Sequence, residues 1–215
     1  MALRVSLTPH PATPCPPLTG IEVEIARGAT RAGARNLAVR FVVSGNIRAI
    51  AAPYPRKAKG SRSDDLWRHT CFEVFARAGA GEDYHEFNLA PSGDWACYRF
   101  AGYRAGRAVE RQASDPRIGT YVRSSALTAE QRAHRAAAGI DPLERFESPF
   151  FMLGATLDLG GTLLPLDAPW RLGLSAVIEE RNGRLSYWAL AHPPGDPDFH
   201  HPDCFTLELP AARPA

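Results

Sequence analysis

Between Leu66 and Phe100 the chain alternates apolar and polar positions in three short runs. Thr70 to Ala76 and Tyr84 to Ala90 are rich in aromatic and branched residues and are separated by AGAGED. APSGD then separates the second run from Trp95 to Phe100. Period-two alternation bounded by Gly- and Pro-bearing turns predicts three strands with tight connections. Successive side chains of a strand point to opposite faces. Cys71, Glu73 and Phe75 therefore share one face, as do Tyr84, Glu86 and Asn88 on the next strand. Phe72, Val74, Phe87 and Leu89 take the other face, which reads as core. A face carrying carboxylates, an amide and aromatics on adjacent strands is unusual for plain solvent exposure and suits a ligand-binding sheet.

The same period recurs along the chain. Ile21 to Ala26, Asn36 to Val43, Ile47 to Ala52, Arg117 to Ser125, Phe150 to Leu159, Trp170 to Glu180, Leu185 to Ala191 and Cys204 to Leu209 all read as strands, with Asn182-Gly183 as a hairpin signal. PYPRKAKGSRSDD reads as a polar loop leading into the central strands. The period changes once, at Thr128 to Ala138, where alanine, a candidate cap at Thr128 and Gly139 beyond the end predict a helix. The expected architecture is all-β: an antiparallel β-sandwich, jelly-roll-like, with a short helical insertion. Residues 1–20 read as a proline-rich lead-in packed along the surface or loose. Residues 21–210 read as a single β-sandwich domain, with the helical excursion at about 126–147.

Composition narrows the class. The chain has 215 residues, 45% hydrophobic and 22% charged, which suits one globular core. A net charge of +2 with scattered arginines gives no support for nucleic acid, and no apolar run is long enough to span a membrane. The N-terminal stretch is repeatedly broken by proline and lacks the apolar core of a signal peptide, so a cytoplasmic location is expected. Cys15, Cys71, Cys97 and Cys204 are far apart, with no CxxC pairing, and read as free buried thiols. Cys71 and Cys97, on different strands, could lie close together.

Candidate chemistry concentrates in three places. Trp67 stands at a loop-to-strand junction six positions before Glu73, and Trp188 lies in SYWALAH. Indole faces beside carboxylates and amides are the chemistry of sugar recognition, while Trp170, at the head of an amphipathic strand, reads as packing. Glu73, between Phe72 and Val74, must face water, pair with a cation or hold a ligand, because burying an unpaired charge is costly. Arg99 is a candidate partner for it. Glu86 with Glu73 could form a glycosidase-type pair. The loop HPPGDPDFHHPD offers His200, His201 and Asp203 as candidate metal ligands, without HExxH-type spacing. Neither a GxSxG elbow, a GxGxxG loop nor a P-loop is present.

LWRHTCFEVF, EFNLAPSGDWACYRF and SYWALAHPPGDPDFHHPDCF together resemble the bacterial DOMON-like proteins, related to the family-nine carbohydrate-binding modules. The resemblance covers roughly residues 20–210. It implies a terminal sugar gripped between two tryptophans, with a strand carboxylate and nearby amide and Arg groups on its hydroxyls. The family's W-x5-E pattern matches Trp67 and Glu73. Trp188, followed by Phe199-His200-His201-Pro202 and Phe205, resembles the second platform, and Asn88 lies near a polar contact position. Ligand-binding residues implied are thus Trp67, Glu73, Asn88, Arg99 and Trp188, in a non-catalytic domain binding a sugar or sugar-containing molecule. Family-nine modules also hold structural calcium, but no calcium-loop signature is identifiable here. The haem-binding DOMON branch uses Met and His ligands, which would involve Met152. Haem binding with a redox role, a metal-dependent hydrolase and a protein-interaction domain are the alternative readings.

Overall fold

The computed structural model describes residues 2–29, 35–52, 60–79, 81–111, 114–125, 128–131, 133, 149–162, 164–165 and 168–211. Among the described residues twelve strands run in chain order: β1 (Leu3–Pro9), β2 (Leu18–Ala29), β3 (Arg35–Gly45), β4 (Cys71–Ala78), β5 (Tyr84–Leu89), β6 (Trp95–Phe100), β7 (Ala108–Val109), β8 (Arg117–Arg123), β9 (Phe150–Asp158), β10 (Trp170–Glu179), β11 (Leu185–Ala189) and β12 (Leu207–Leu209). Their pairings are antiparallel and follow the order β7-β6-β5-β4-β10-β11-β1-β2-β3-β9-β8. β12 pairs with the start of β10, Trp170 opposite Leu209, while β11 pairs with its end, Glu179 opposite Leu185.

Two sheets result, facing one another as a β-sandwich. Strand β1 belongs to both: Leu3 to Leu7 pair with β2, and Thr8 and Pro9 pair with β11. Within the proline-rich segment expected to pack along the surface or stay loose, Leu3–Pro9 form a strand. The change of partner falls between Leu7 and Thr8, and Pro9, opposite Trp188, is the last residue of the strand.

Between the sheets lies the main core. Phe72, Val74, Phe87, Leu89, Leu174, Ala176 and Ile178 from one sheet meet Val23, Ile25, Val39, Phe41, Phe151 and Leu153 from the other. Phe41 and Phe72 rings sit 5.0 Å apart across the gap. This alternation is the one read from the sequence around Glu73. Trp170 is fully buried, its indole N–H donating to the Pro165 carbonyl at 2.8 Å and the Arg27 guanidinium 3.5 Å from its ring centroid.

Several local expectations change. Ile47–Ala49 forms a 3₁₀ turn instead of a strand, closed by Ile50 N–H to the Ile47 carbonyl and burying Ile47 and Ile50 three residues apart. Pro202–Cys204 is also a 3₁₀ turn, so the last strand shrinks to β12. Residues 129–131 and 133 are helical. Thr128 Oγ1 accepts from Gln131 N–H at 3.1 Å and the Gln131 side chain accepts from Thr128 N–H at 2.9 Å, a reciprocal cap. The remainder of the predicted excursion, and residues 53–59 of the predicted loop, lie outside the described residues. No helix among the described residues is long and apolar enough to cross a membrane. All four cysteines are free and buried, with Cys71 and Cys97 on opposite faces of their sheet.

Candidate functional site

The sheet containing β4, β5 and β10 has a second face, turned away from the core, and that face carries the polar residues. Register sets Glu73 opposite Asn88 and Ser175, and Phe75 opposite Glu86. Tyr98 and Phe100 of β6 and Val177 of β10 extend the surface. The segment after β11 folds back over it. His200 packs edge-on against Phe75, Tyr84 and Phe100 at ring distances of 5.1, 5.9 and 5.0 Å, and Phe205 covers Phe75 and Tyr84. The cavity that remains has a volume of about 450 Å³. Glu73, Glu86, Phe100, Val177 and Tyr187 form its floor, and Trp67, Arg104, Arg107, Pro197, Phe199 and His200 form its walls.

The two floor carboxyls are buried, and among the described residues neither has an Arg or Lys in ion-pair contact. Glu73, 3% exposed, has Ser175 as its side-chain partner, whose hydroxyl donates to Oε2 at 3.3 Å. Burial, reinforced by Glu86, pushes the Glu73 carboxyl well above the ordinary range. Burial also raises Glu86, against the opposing hydrogen bond from Asn88, whose amide donates to Glu86 Oε1 at 2.6 Å. The pair therefore retains protons that exposed carboxylates would release. Cys71 completes the chain by donating to Asn88 Oδ1 at 3.6 Å.

A second network fixes the covering loop. Asp198 Oδ1 accepts from Arg104 Nε at 3.2 Å and Nη2 at 2.7 Å and from the His200 N–H at 3.1 Å; Oδ2 accepts from the Tyr103 hydroxyl. Burial alone would raise Asp198, but the Tyr103 and Arg104 hydrogen bonds outweigh it and hold the carboxyl below its usual value. Arg104 has a left-handed backbone, φ 52°, and its N–H donates to the Tyr84 hydroxyl at 3.3 Å. That hydroxyl lies 2.8 Å from His200 Nδ1. Burial, followed by Arg104, depresses His200 to about 4, so the ring is neutral near pH 7. With Nδ1 accepting from Tyr84, whose own pKa is pushed up to about 12 by burial, the ring proton sits on Nε2, 4.0 Å from Glu86 Oε2.

Trp67 reaches the cavity mouth through a short, well-tied segment. Ser61 N–H donates to Asp94 Oδ1 at 2.9 Å, and Ser61 and Ser63 exchange backbone hydrogen bonds with Trp95 at the start of β6. Asp65, at φ 59°, then turns the chain into the 3₁₀ helix Leu66–Arg68. The exit is held by Thr70, whose hydroxyl donates to the Ala51 carbonyl at 2.6 Å. The indole is left 43% exposed, the only exposed tryptophan of the four.

Of the residues singled out in the sequence, Trp67 and Glu73 meet in this cavity, and Asn88 lies directly behind Glu86 as its hydrogen-bond donor. Arg99 does not reach it. It pairs with His85 on the opposite face, the one shared with Trp95 and Cys97. Trp188 is also on the core face, 4% exposed, opposite Ala176, its indole N–H donating to Ser186 Oγ at 3.1 Å. Tyr187, one residue earlier, occupies the cavity side in its place.

His200 faces the cavity, whereas His201 turns away and accepts from the Asp203 N–H at 3.2 Å, capping the Pro202–Cys204 turn. Among the described residues no group of three or more His, Cys, Asp or Glu side chains converges on a metal position. Met152 packs with Val42 and Phe150 on the outer face of the other sheet, and its neighbouring strands β3 and β8 carry no histidine. Arg104, Arg107, Tyr187 and Pro197 were not foreseen, and Phe199 entered only as part of the loop motif after Trp188. Four of these five come from irregular segments, where no period announces direction; only Tyr187 sits on a strand.

No protein-family model and no curated protein matches the chain. Its fold is similar to that of a candidate carbohydrate-binding protein from Bacteroides uniformis solved by crystallography. The TM-score is 0.59, with 12% sequence identity, over 95% of this chain and 84% of that one. At that identity the likeness is one of fold.

Proposed function

We propose that the cavity beneath the covering loop binds a carbohydrate or sugar-containing molecule without carrying out chemistry on it. The observation that carries the reading is the half-exposed Trp67 indole at the mouth of a cavity whose floor holds the buried Glu73 and Glu86 carboxyls. An exposed indole offers a flat apolar surface to the C–H face of a sugar ring. Carboxyl, imidazole and guanidinium groups suit its hydroxyls, because each sets a direction that a ring of hydroxyls can match. The volume, about 450 Å³, falls within the ~300–1,000 Å³ of small-molecule pockets. The similarity of Trp67 and Glu73 to the W-x5-E pattern of family-nine modules supports the same reading, as does the fold shared with the Bacteroides protein. Tyr187 takes over the part of second platform that the resemblance gave to Trp188.

Intrinsic fluorescence tests this directly, since Trp67 is the tryptophan open to solvent. Titration with a panel of mono- and oligosaccharides is expected to give a saturable shift with one sugar class. The shift should disappear in Trp67→Ala and weaken in Glu73→Gln. Silence across the panel in both fluorescence and calorimetry would reject carbohydrate binding.

A further inference from the structure

The donor and acceptor balance of the cavity says which sugars it prefers. Two guanidiniums stand on its wall, in different states. Arg104 is spent on Asp198, through two N–H groups on one carboxylate oxygen. Arg107 is exposed, its guanidinium carbon 4.0 Å from the Tyr98 ring centroid, and it makes no ion pair among the described residues. Asp64, the carboxylate near Arg107, is already held by Arg62 at 2.8 Å and by the Tyr98 hydroxyl. Arg107 stacks on Tyr98 and hydrogen-bonds its side chain, which keeps the guanidinium plane in one orientation and leaves it with no carboxylate in ion-pair contact among the described residues.

The floor adds to the surplus. Two buried carboxyls lie on adjacent strands, and burial lets them hold protons to higher pH than exposed ones; a carboxyl that holds its proton presents an O–H donor as well as acceptors. His200, accepting from Tyr84 at Nδ1, directs an N–H toward the same space. A cavity with these donors, and with one cation at its rim that makes no ion pair among the described residues, is complementary to an acceptor-rich ligand.

We propose that the ligand is a sugar bearing an anionic substituent, a carboxylate or a phosphate, and that Arg107 receives that group. This rests on the carbohydrate reading above and narrows it. A planar guanidinium pairs with either group through two parallel N–H bonds. Neutral sugars lack the group and leave Arg107 facing water.

The test is calorimetry on the full chain near pH 7 in low salt, comparing glucose and galactose with glucuronate, galacturonate and glucose 6-phosphate. The acidic sugar of the matching type is expected to bind at least about ten-fold more tightly than its neutral parent, the advantage shrinking as salt rises. Whether the uronates or the phosphate gain identifies the substituent. In Arg107→Gln the ratio should fall to within about two-fold, and Arg107→Lys should keep part of it. Equal affinity for acidic and neutral sugars, or a preference that survives Arg107→Gln, overturns the proposal while leaving carbohydrate binding intact. Failure of every sugar to bind overturns both.

Discussion

Replacing Glu73 by Gln isolates the physical claim on which the site depends, that its floor retains protons. The substitution keeps the shape of the side chain and its capacity to accept from Ser175, and removes the titration. In the unfolded chain a Glu releases its proton near 4.5; burial and Glu86 raise Glu73 well above that in the folded protein. Between the two values the folded state holds a proton that the unfolded state has lost. The Glu73 contribution is therefore fully present below 4.5 and is lost as pH rises through the folded value. The slope reaches about 1.4 kcal/mol per pH unit for one retained proton. For a chain of this size that is about 3–6 °C of Tm per unit. Thermal melts of both proteins from about pH 5 to pH 9 should show the Gln variant gaining on the parent as pH rises. His85, His192 and His200, all depressed by burial, tilt the curve the other way, adding stability as pH rises toward their unfolded values. They are present in both proteins, so the difference between the curves removes them. Parallel curves across the range would mean that Glu73 ionises as it does in the unfolded chain, and the account of the floor would be wrong.

Four further substitutions separate scaffold from site. Trp188→Ala empties a core position and should cost about 3–5 kcal/mol in urea melts, whereas Trp67→Ala, at a half-exposed position, should change stability by less than about 1 kcal/mol. Asp198→Asn weakens the clasp on Arg104, Tyr103 and the His200 N–H. A loss of about 1 kcal/mol is expected, with faster hydrogen exchange in residues 197–205 and weaker ligand binding. Because the Asp198 pKa is held low, its contribution is present above the unfolded value of 3.8 and lost as pH falls through the folded one. Gly60→Ala would bring a Cβ to 1.7 Å from the Gly93 carbonyl oxygen. The segment must move off the β5–β6 turn, so a Tm drop equivalent to about 1–3 kcal/mol is expected, with altered Trp67 emission.

The fold was legible because its strands are patterned. Phe72, Val74, Phe87 and Leu89 are buried on one face and Glu73, Glu86 and Asn88 on the other, as alternation alone dictates. The first strand was hidden for a compositional reason. LRVSLTP alternates well, but the prolines that follow make the whole segment read as loop. The site was legible only on its strand-borne half. Glu73 announces itself as a carboxylate in an apolar run. Arg104 and Arg107 sit in a turn, Pro197 and Phe199 in a loop, and which sheet face those segments cover is decided by tertiary packing alone. Arg99 was misjudged although its parity was readable. Trp95 and Cys97 share its face, and they belong to the core.

Trp188 and Tyr187 exchange places because of one residue in a turn. Both faces of β11 carry an aromatic, so hydrophobic pattern does not choose between its two registers, and the turn must. A two-residue turn at Asn182-Gly183 would pair Arg181 with Arg184. It would also set Trp188 opposite Val177, on the cavity floor. The turn observed has three residues. Glu180 faces Arg184, with its N–H donating to the Arg184 carbonyl at 2.8 Å, Gly183 N–H donating to the Glu180 carbonyl at 2.8 Å and Gly183 at φ 86°. The added residue shifts the pairing by one, so that Val177 meets Tyr187 and Ala176 meets Trp188. Small Ala176 makes room in the core for the indole, and Ser186 supplies its acceptor. The longer turn is in turn held by Arg184, whose guanidinium donates to Glu180 Oε1 at 2.7 Å, and by the Asn182 side chain on the Arg184 N–H. A pair of turn residues thus determines which aromatic a ligand meets, while strand composition leaves that choice open.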